Sequence, residues 1–332
     1  MIALLIFLCT ASACSKDSSG NYFLPPISAE DNADDTIEYS GLTNPVSINQ
    51  NNAQKILEEA FLGGTSSSSI ASPYSTVAAT QASGQRLFLF QHLSDTAQGI
   101  SKDIAYIEQE GTPSITSAVI PYSIKEEGPC GGNYTETFSI DNETGDISGT
   151  IQYNDYCEMG VISNGQINIQ GNIDLYTANI NLYMDFTNYS VSYDDISQTM
   201  NGTVSLISYT DSSSMNMNIY VRDDASGRTC WMHDYAFDVT DHYSYNELRI
   251  SGRFYDPDYG YVILSTPESF IENYYDDYPS QGTLVATGAE GSSGGNTRAR
   301  LVVLSVESLR IDVDADGDGT YEWDSGTLYW EE

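Results

Sequence analysis

NYTETFSIDNETGDISGTIQY (residues 133–153) reads as two strands and a turn. Ile147, Gly149, Ile151 and Tyr153 alternate with Ser148, Thr150 and Gln152, the period of two that a strand with one buried and one wet face requires. The turn NETG (142–145) has its centre between Glu143 and Thr144. Cys130 and Cys157 lie at equal distances from that centre, so pairing without slip sets them opposite each other. The spacing predicts a Cys130–Cys157 disulfide across the open end of this hairpin, contributing about 3 kcal/mol in the chain-entropy model. Cys230 is then left over as a buried thiol or an intermolecular partner.

The same period recurs downstream. Tyr176, Ala178, Ile180, Leu182, Met184 and Phe186 form one run. Met215, Met217, Ile219 and Val221 form a second, and Leu309, Ile311 and Val313 a third. Turn signals stand between the runs at 142–145, 164–165 and 223–227. A weak repeat is also present: YNDY (153–156) before SNG (163–165), FTNY (186–189) before MNG (200–202), and MHDY (232–235) before ISG (250–252). Each unit reads as a strand end, a short excursion and a glycine-bearing strand, so consecutive hairpins add to one sheet. The predicted fold is mainly β: an extended antiparallel sheet of consecutive hairpins, curled or covered, with two short N-terminal helices packed on it. The first helix follows from Asn51 and Gln54 as a capping box, an apolar face of Ala53, Ile56, Leu57 and Ala60, and a stop at Gly63. The second follows from Phe90, Leu93, Ala97, Ile100 and Ile104 at helical spacing.

The chain has 332 residues, 12 Lys plus Arg against 47 Asp plus Glu, and a formal net charge of −35. That balance excludes nucleic-acid binding, which needs a basic footprint. It also excludes electrostatic docking on anionic lipid. With 40% hydrophobic residues the chain is not a disordered acidic tail.

At the N-terminus, Ile2 to Leu8 is an apolar run of signal-peptide length, followed by Ala11, Ser12, Ala13 and Cys14. This resembles the lipobox of bacterial lipoproteins, which implies cleavage before Cys14 and its lipidation; Ser15 in the next position implies the outer membrane. Organisation follows: signal peptide 1–13, a Ser/Asp/Asn/Pro-rich flexible tether 15–44, a helical segment 45–116, and a sheet domain 117–332 that forms one structural unit with it. The lipobox, NNAQKILEEA (51–60), the two-cysteine hairpin, DPDYGYV (256–262) and DVDADGDGTYEW (312–323) together are similar to uncharacterised acidic β-rich envelope lipoproteins of Gram-negative bacteria. The resemblance implies a location, periplasmic or surface-facing, and a membrane partner through Cys14. It implies no activity.

The most chemically loaded stretch is DVDADGDGTYEW. Laid on a twelve-residue EF-hand loop from Asp312, Asp314 and Asp316 take positions three and five and Gly317 position six, but Trp323 falls where a bidentate glutamate is required. The flanks alternate like strands, so the stretch is a calcium-type loop on a β-hairpin or an acidic turn without a metal. The candidate ligands are Asp312, Asp314, Asp316, Asp318 and Glu322, and calcium is the one cofactor suggested. Cys230 and His233 are three apart, which puts them on opposite faces of a strand and argues against a shared transition metal. The tyrosine–acid stretches 254–262 and 273–282 read as strand ends and loops in preference to sugar-stacking sites. No G-x-S-x-G, H-E-x-x-H, C-x-x-C or phosphate-binding glycine loop occurs. The expectation is a non-enzymatic, lipid-anchored envelope or surface protein with a structural or binding role, its protein, glycan or lipid partner unspecified. The alternatives are a carrier of a lipophilic ligand between a curled sheet and its helices and, behind it, a glycan-active hydrolase.

Overall fold

The computed structural model describes residues 37–61 and 119–330, apart from 142, 159, 175–178, 194–195, 210, 274–275 and 277. Cys14, the signal peptide and the second expected helix lie outside the described residues.

One antiparallel sheet of fifteen strands dominates. Its strands are β1 (Val119–Glu127), β2 (Gly131–Asp141), β3 (Asp146–Glu158), β4 (Val161–Ile173), β5 (Ile180–Tyr193), β6 (Ile196–Ser208), β7 (Ser212–Asp223) and β8 (Thr229–Asp241). Then come β9 (Tyr245–Asp256), β10 (Gly260–Asn273), β11 (Gln281–Glu290), β12 (Asn296–Ser305), β13 (Ser308–Asp314), β14 (Trp323–Asp324) and β15 (Leu328–Tyr329). Strands β1 to β14 pair in sequence order, and β15 returns to β13. The first and last strands do not pair, so the sheet is open. The expected chain of hairpins is therefore present.

Alternation along each strand gives the sheet one apolar face. Ile167, Ile169, Leu182, Met215, Met217, Ile219, Phe237 and Ile250 are all fully buried, and a single core cluster runs from Phe138 on β2 to Val313 on β13. The opposite face is mixed, polar over much of β3–β7 and carrying exposed Ile162, Ile207, Ile263 and Leu304. Helix α1 (residues 53–61) joins the core through Ala53, Ile56, Leu57 and Ala60, the face the sequence predicts, and through Phe61. Phe61 packs on Phe270 and Trp330, and the buried Tyr235 hydroxyl donates to the Ala60 carbonyl at 2.6 Å.

The capping turn ahead of α1 begins at Asn49, two residues before the expected cap at Asn51. Asn49 is the cap: its side-chain oxygen accepts from the Asn51 amide, and the Asn52 side-chain oxygen accepts from the Asn49 amide. The second is the back-bond of a capping box at Asn49/Asn52 in place of Asn51/Gln54, while the cap oxygen takes the amide two residues on instead of three. Gln54 instead bonds Glu58 along the helix. The segment expected to be a tether as far as residue 44 is held to the sheet from Tyr39 onward. Tyr39 bonds the Asp256 carbonyl, Leu42 the Pro257 carbonyl, and Asn44 and Val46 bracket Tyr261. Ion pairs lock the helix onto the same turn. Arg228 reaches Glu59, Asp256 and Asp258, and Lys55 reaches Asp256 and Asp258.

The β2–β3 hairpin pairs as predicted from Ile140↔Ile147 to Asn133↔Asn154. A bulge then slips the register by one, so Cys157 faces Gly131. The Cys130–Cys157 disulfide still closes, with a Cα–Cα distance of 5.1 Å.

That bulge is one of three built on a left-handed Asp or Asn, and these account for the sequence repeat. YNDY, FTNY and MHDY are not strand ends: they lie inside β3, β5 and β8. Asp155, Asn188 and Asp234, the third residue of each, hold left-handed backbone with φ near +48° (49°, 47° and 48°). At each, two residues oppose one on the neighbouring strand. Asn and Asp accept this conformation because a short polar side chain can bond locally. Asp155 and Asn164 do so reciprocally, at 2.7 and 2.9 Å, as do Asn188 and Asn201. Bulges raise local twist and bend the strand, so this row bends the sheet along one band.

Candidate metal centre

The acidic loop joins β13 to β14, at the C-terminal edge of the sheet. Alternation on β13 buries Leu309, Ile311 and Val313 in the core and would turn Arg310, Asp312 and Asp314 outward. Both aspartates are nevertheless buried, each for a different reason.

Asp312 is enclosed by cations. Its carboxylate accepts from Arg300 Nε at 2.7 Å and from Arg310 Nε and Nη2 at 2.7 and 3.0 Å. Those bonds hold Arg310 more firmly protonated than usual. Arg300 also lies over the Tyr321 ring, 4.2 Å from its centroid. Asp312 is thus committed to two arginines and stands apart from the candidate ligands.

The other four predicted residues come together. Asp314, Asp316, Asp318 and Glu322 bring one carboxylate oxygen each within 4.8 Å of the others. The loop is shaped by its own amides. Asp314 accepts from Gly317 and Gly319 at 2.8 and 3.0 Å, Asp316 from Asp318 at 3.0 Å, and Asp318 from Thr320 at 2.7 Å. Glu322 closes the loop by accepting from the Ala315 amide at 3.3 Å. Each carboxylate keeps lone pairs beyond these bonds.

The cluster places the loop register two residues later than the sequence count. Counted from Asp314, the ligands occupy positions one, three, five and nine, with Gly319 at position six in left-handed backbone (φ 92°). Ser325 then falls at position twelve, so the bidentate glutamate of an EF-hand is still missing, and the flanks are strands. The repeated DADGDG gave two possible starts. The signal that decides between them is the pair of arginines beside Asp312, Arg300 across from it on β12 and Arg310 two residues before it on β13.

A neighbouring turn braces the loop. The Ser293 amide donates to the Asp316 carbonyl at 2.8 Å. Gly295 and Gly317 touch backbone to backbone: a Cβ on either would sit 2.2 Å from the other's carbonyl oxygen. The glycine-rich β11–β12 turn and the acidic loop are interlocked.

Comparison with protein-family models, curated proteins and solved structures gives no match. The site is read on its own chemistry: hard oxygen donors, clustered, on a braced loop. Such a set suits a hard divalent cation of calcium type better than a thiophilic metal.

Among the described residues, the remaining candidates do not come together as Asp314, Asp316, Asp318 and Glu322 do. Cys230 is buried on the core face, its sulfur 4.0 Å from Glu59, whereas His233 stands on the outer face against the edge of Trp231. Among the tyrosines of 254–262, Tyr255 is stacked on Trp231 and Tyr259 lies beneath Lys55. Phe90 and Leu93, on which the lipophilic-carrier alternative turns, lie outside the described residues.

Proposed function

We propose that this is a non-enzymatic, lipid-anchored protein of the outer membrane or cell surface, with a structural or binding role and a C-terminal edge stabilised by calcium. The observation that carries the calcium reading is the four-carboxylate cluster on a loop interlocked with its neighbouring turn. Four carboxylates so close repel one another, and a divalent cation removes that repulsion while tying β13 to the end of the chain. The Cys14 lipobox and the acidic composition support the envelope location, and the long sheet, with one face polar over much of β3–β7, suits a scaffold or a binding surface. Affinity is expected in the weak range of extracellular modules, about 10⁻⁴–10⁻³ M.

The test is thermal unfolding in calcium, in magnesium at equal ionic strength, and in chelator. A ligand that binds only the native state must raise the midpoint. Calcium is expected to raise it more than magnesium, and Asp314→Ala with Asp316→Ala to abolish the difference. Equal effects of the two ions would leave the loop an acidic turn.

A further inference from the structure

The middle of the polar face of β3–β7, between the exposed Asp146 and Asp155 of β3, is poor in charge, in a chain that carries 47 acidic residues. Two rows cross these strands at right angles to the chain direction. One runs through the register partners Ser148, Gln170, Tyr183, Ser205 and Asn216. The next runs through Thr150, Asn168, Asp185, Thr203 and Asn218. Asp185 is the only charged residue in either row, and Asn168 hydrogen-bonds it. Gln170 and Asn216 are exposed, and neither side chain bonds another described residue. Asn218 holds the indole Nε1 of Trp231 at 2.8 Å, which joins the second row to the aromatic series Tyr220, Trp231 and Tyr255.

From this we infer that the face binds a neutral, linear polysaccharide laid across the strands. The inference rests on the binding role proposed above and names its partner class. Three arguments select the occupant. Side-chain amides and hydroxyls both donate and accept, as sugar hydroxyls do, so one row can satisfy either polarity. The rows repeat at the strand spacing of about 4.8 Å and span roughly 20 Å over five strands, a track suited to a polymer. The single carboxylate in these two rows matches an uncharged ligand, whereas the rest of this acidic surface would favour a cationic one.

Affinity electrophoresis of the full chain tests it, with dextran, β-1,3-glucan, mannan or hydroxyethylcellulose in the gel and anionic alginate as the charged control. At least one neutral polymer is expected to retard the protein, equally in low and high salt, with no retardation by alginate. Gln170→Ala combined with Asn216→Ala should weaken that retardation at least tenfold, at an unchanged melting midpoint because both residues are exposed. Retardation by none of the neutral polymers, or retardation that salt abolishes or that the double variant retains, overturns the inference. A calcium-specific melting shift without glycan binding would sink this inference alone and leave the metal reading standing.

Discussion

Asp155, Asn188 and Asp234 take a conformation that costs most residues about 1–2 kcal/mol, and each does so opposite a strand that carries a glycine. Gly165 shows why. Its φ is +98°, and a Cβ there would lie 2.2 Å from the Asn188 carbonyl oxygen. Gly165→Ala should therefore cost at least 2 kcal/mol, on the order of a strained backbone plus a clash, read as a lower urea midpoint. Asp155→Gly should change stability by less than about 1 kcal/mol, because glycine enters the left-handed region freely. Equal losses in the two variants would mean that local side-chain bonding, and not backbone geometry, sets the bulge. The repeat that betrays these bulges is visible in the sequence, but its meaning is not. A left-handed Asp or Asn looks like a turn until the paired strand shows that the ladder continues past it. Asp312 teaches the same lesson. It sits in the densest acidic stretch of the chain, yet a cross-strand arginine twelve residues away and an arginine two residues before it on the same strand neutralise it.

Among the elements, β10 ends in an acidic problem. Burial, and then the neighbouring Asp276, push the Glu272 carboxyl up to about 7 from an ordinary value of 4.5. The folded protein holds this proton where the unfolded chain has released it. Stability contributed by the group is therefore full below about pH 4.5, falls as pH rises toward 7, and stays low above it. Glu272→Gln should raise the unfolding midpoint above pH 7, by roughly 2 kcal/mol, and leave it unchanged near pH 4.5. A variant equally stabilised at both pH values would point to packing in place of protonation. Helix α1 is held by the opposite arrangement. Asp256 is buried and answered by Arg228 and Lys55, so charge is compensated where it is enclosed. The apolar face of α1 was legible from spacing alone. Its cap was not, because four consecutive polar residues, Asn49 to Asn52, offer several starts and only the bonded pair decides.

Across the whole molecule, the fold class and the hairpin order were legible because the period of two is strong and the connections are short. The band of bulges was not, since it shows only in the pairing with the next strand, nor was the docking of residues 39–61 over β8–β12, which depends on contacts between residues roughly 200 apart in sequence, such as Lys55 with Asp258. Those contacts should appear in hydrogen exchange. Amides of β8–β12, backed by α1 and residues 39–48, are expected to exchange slowest. Those of β1 and of the two-residue strands β14 and β15 should exchange fastest. Uniform protection across the sheet would show that α1 adds nothing to local stability. The order β1 to β12, in which each strand bonds only its sequence neighbours, has a further consequence for descent. No strand is threaded between strands distant in the chain, so a two-strand unit could be duplicated or lost in frame without disturbing the pairing of any other. Lineages carrying this architecture are free to vary in breadth one hairpin at a time, and length differences between them should come in steps of about two strands and two turns.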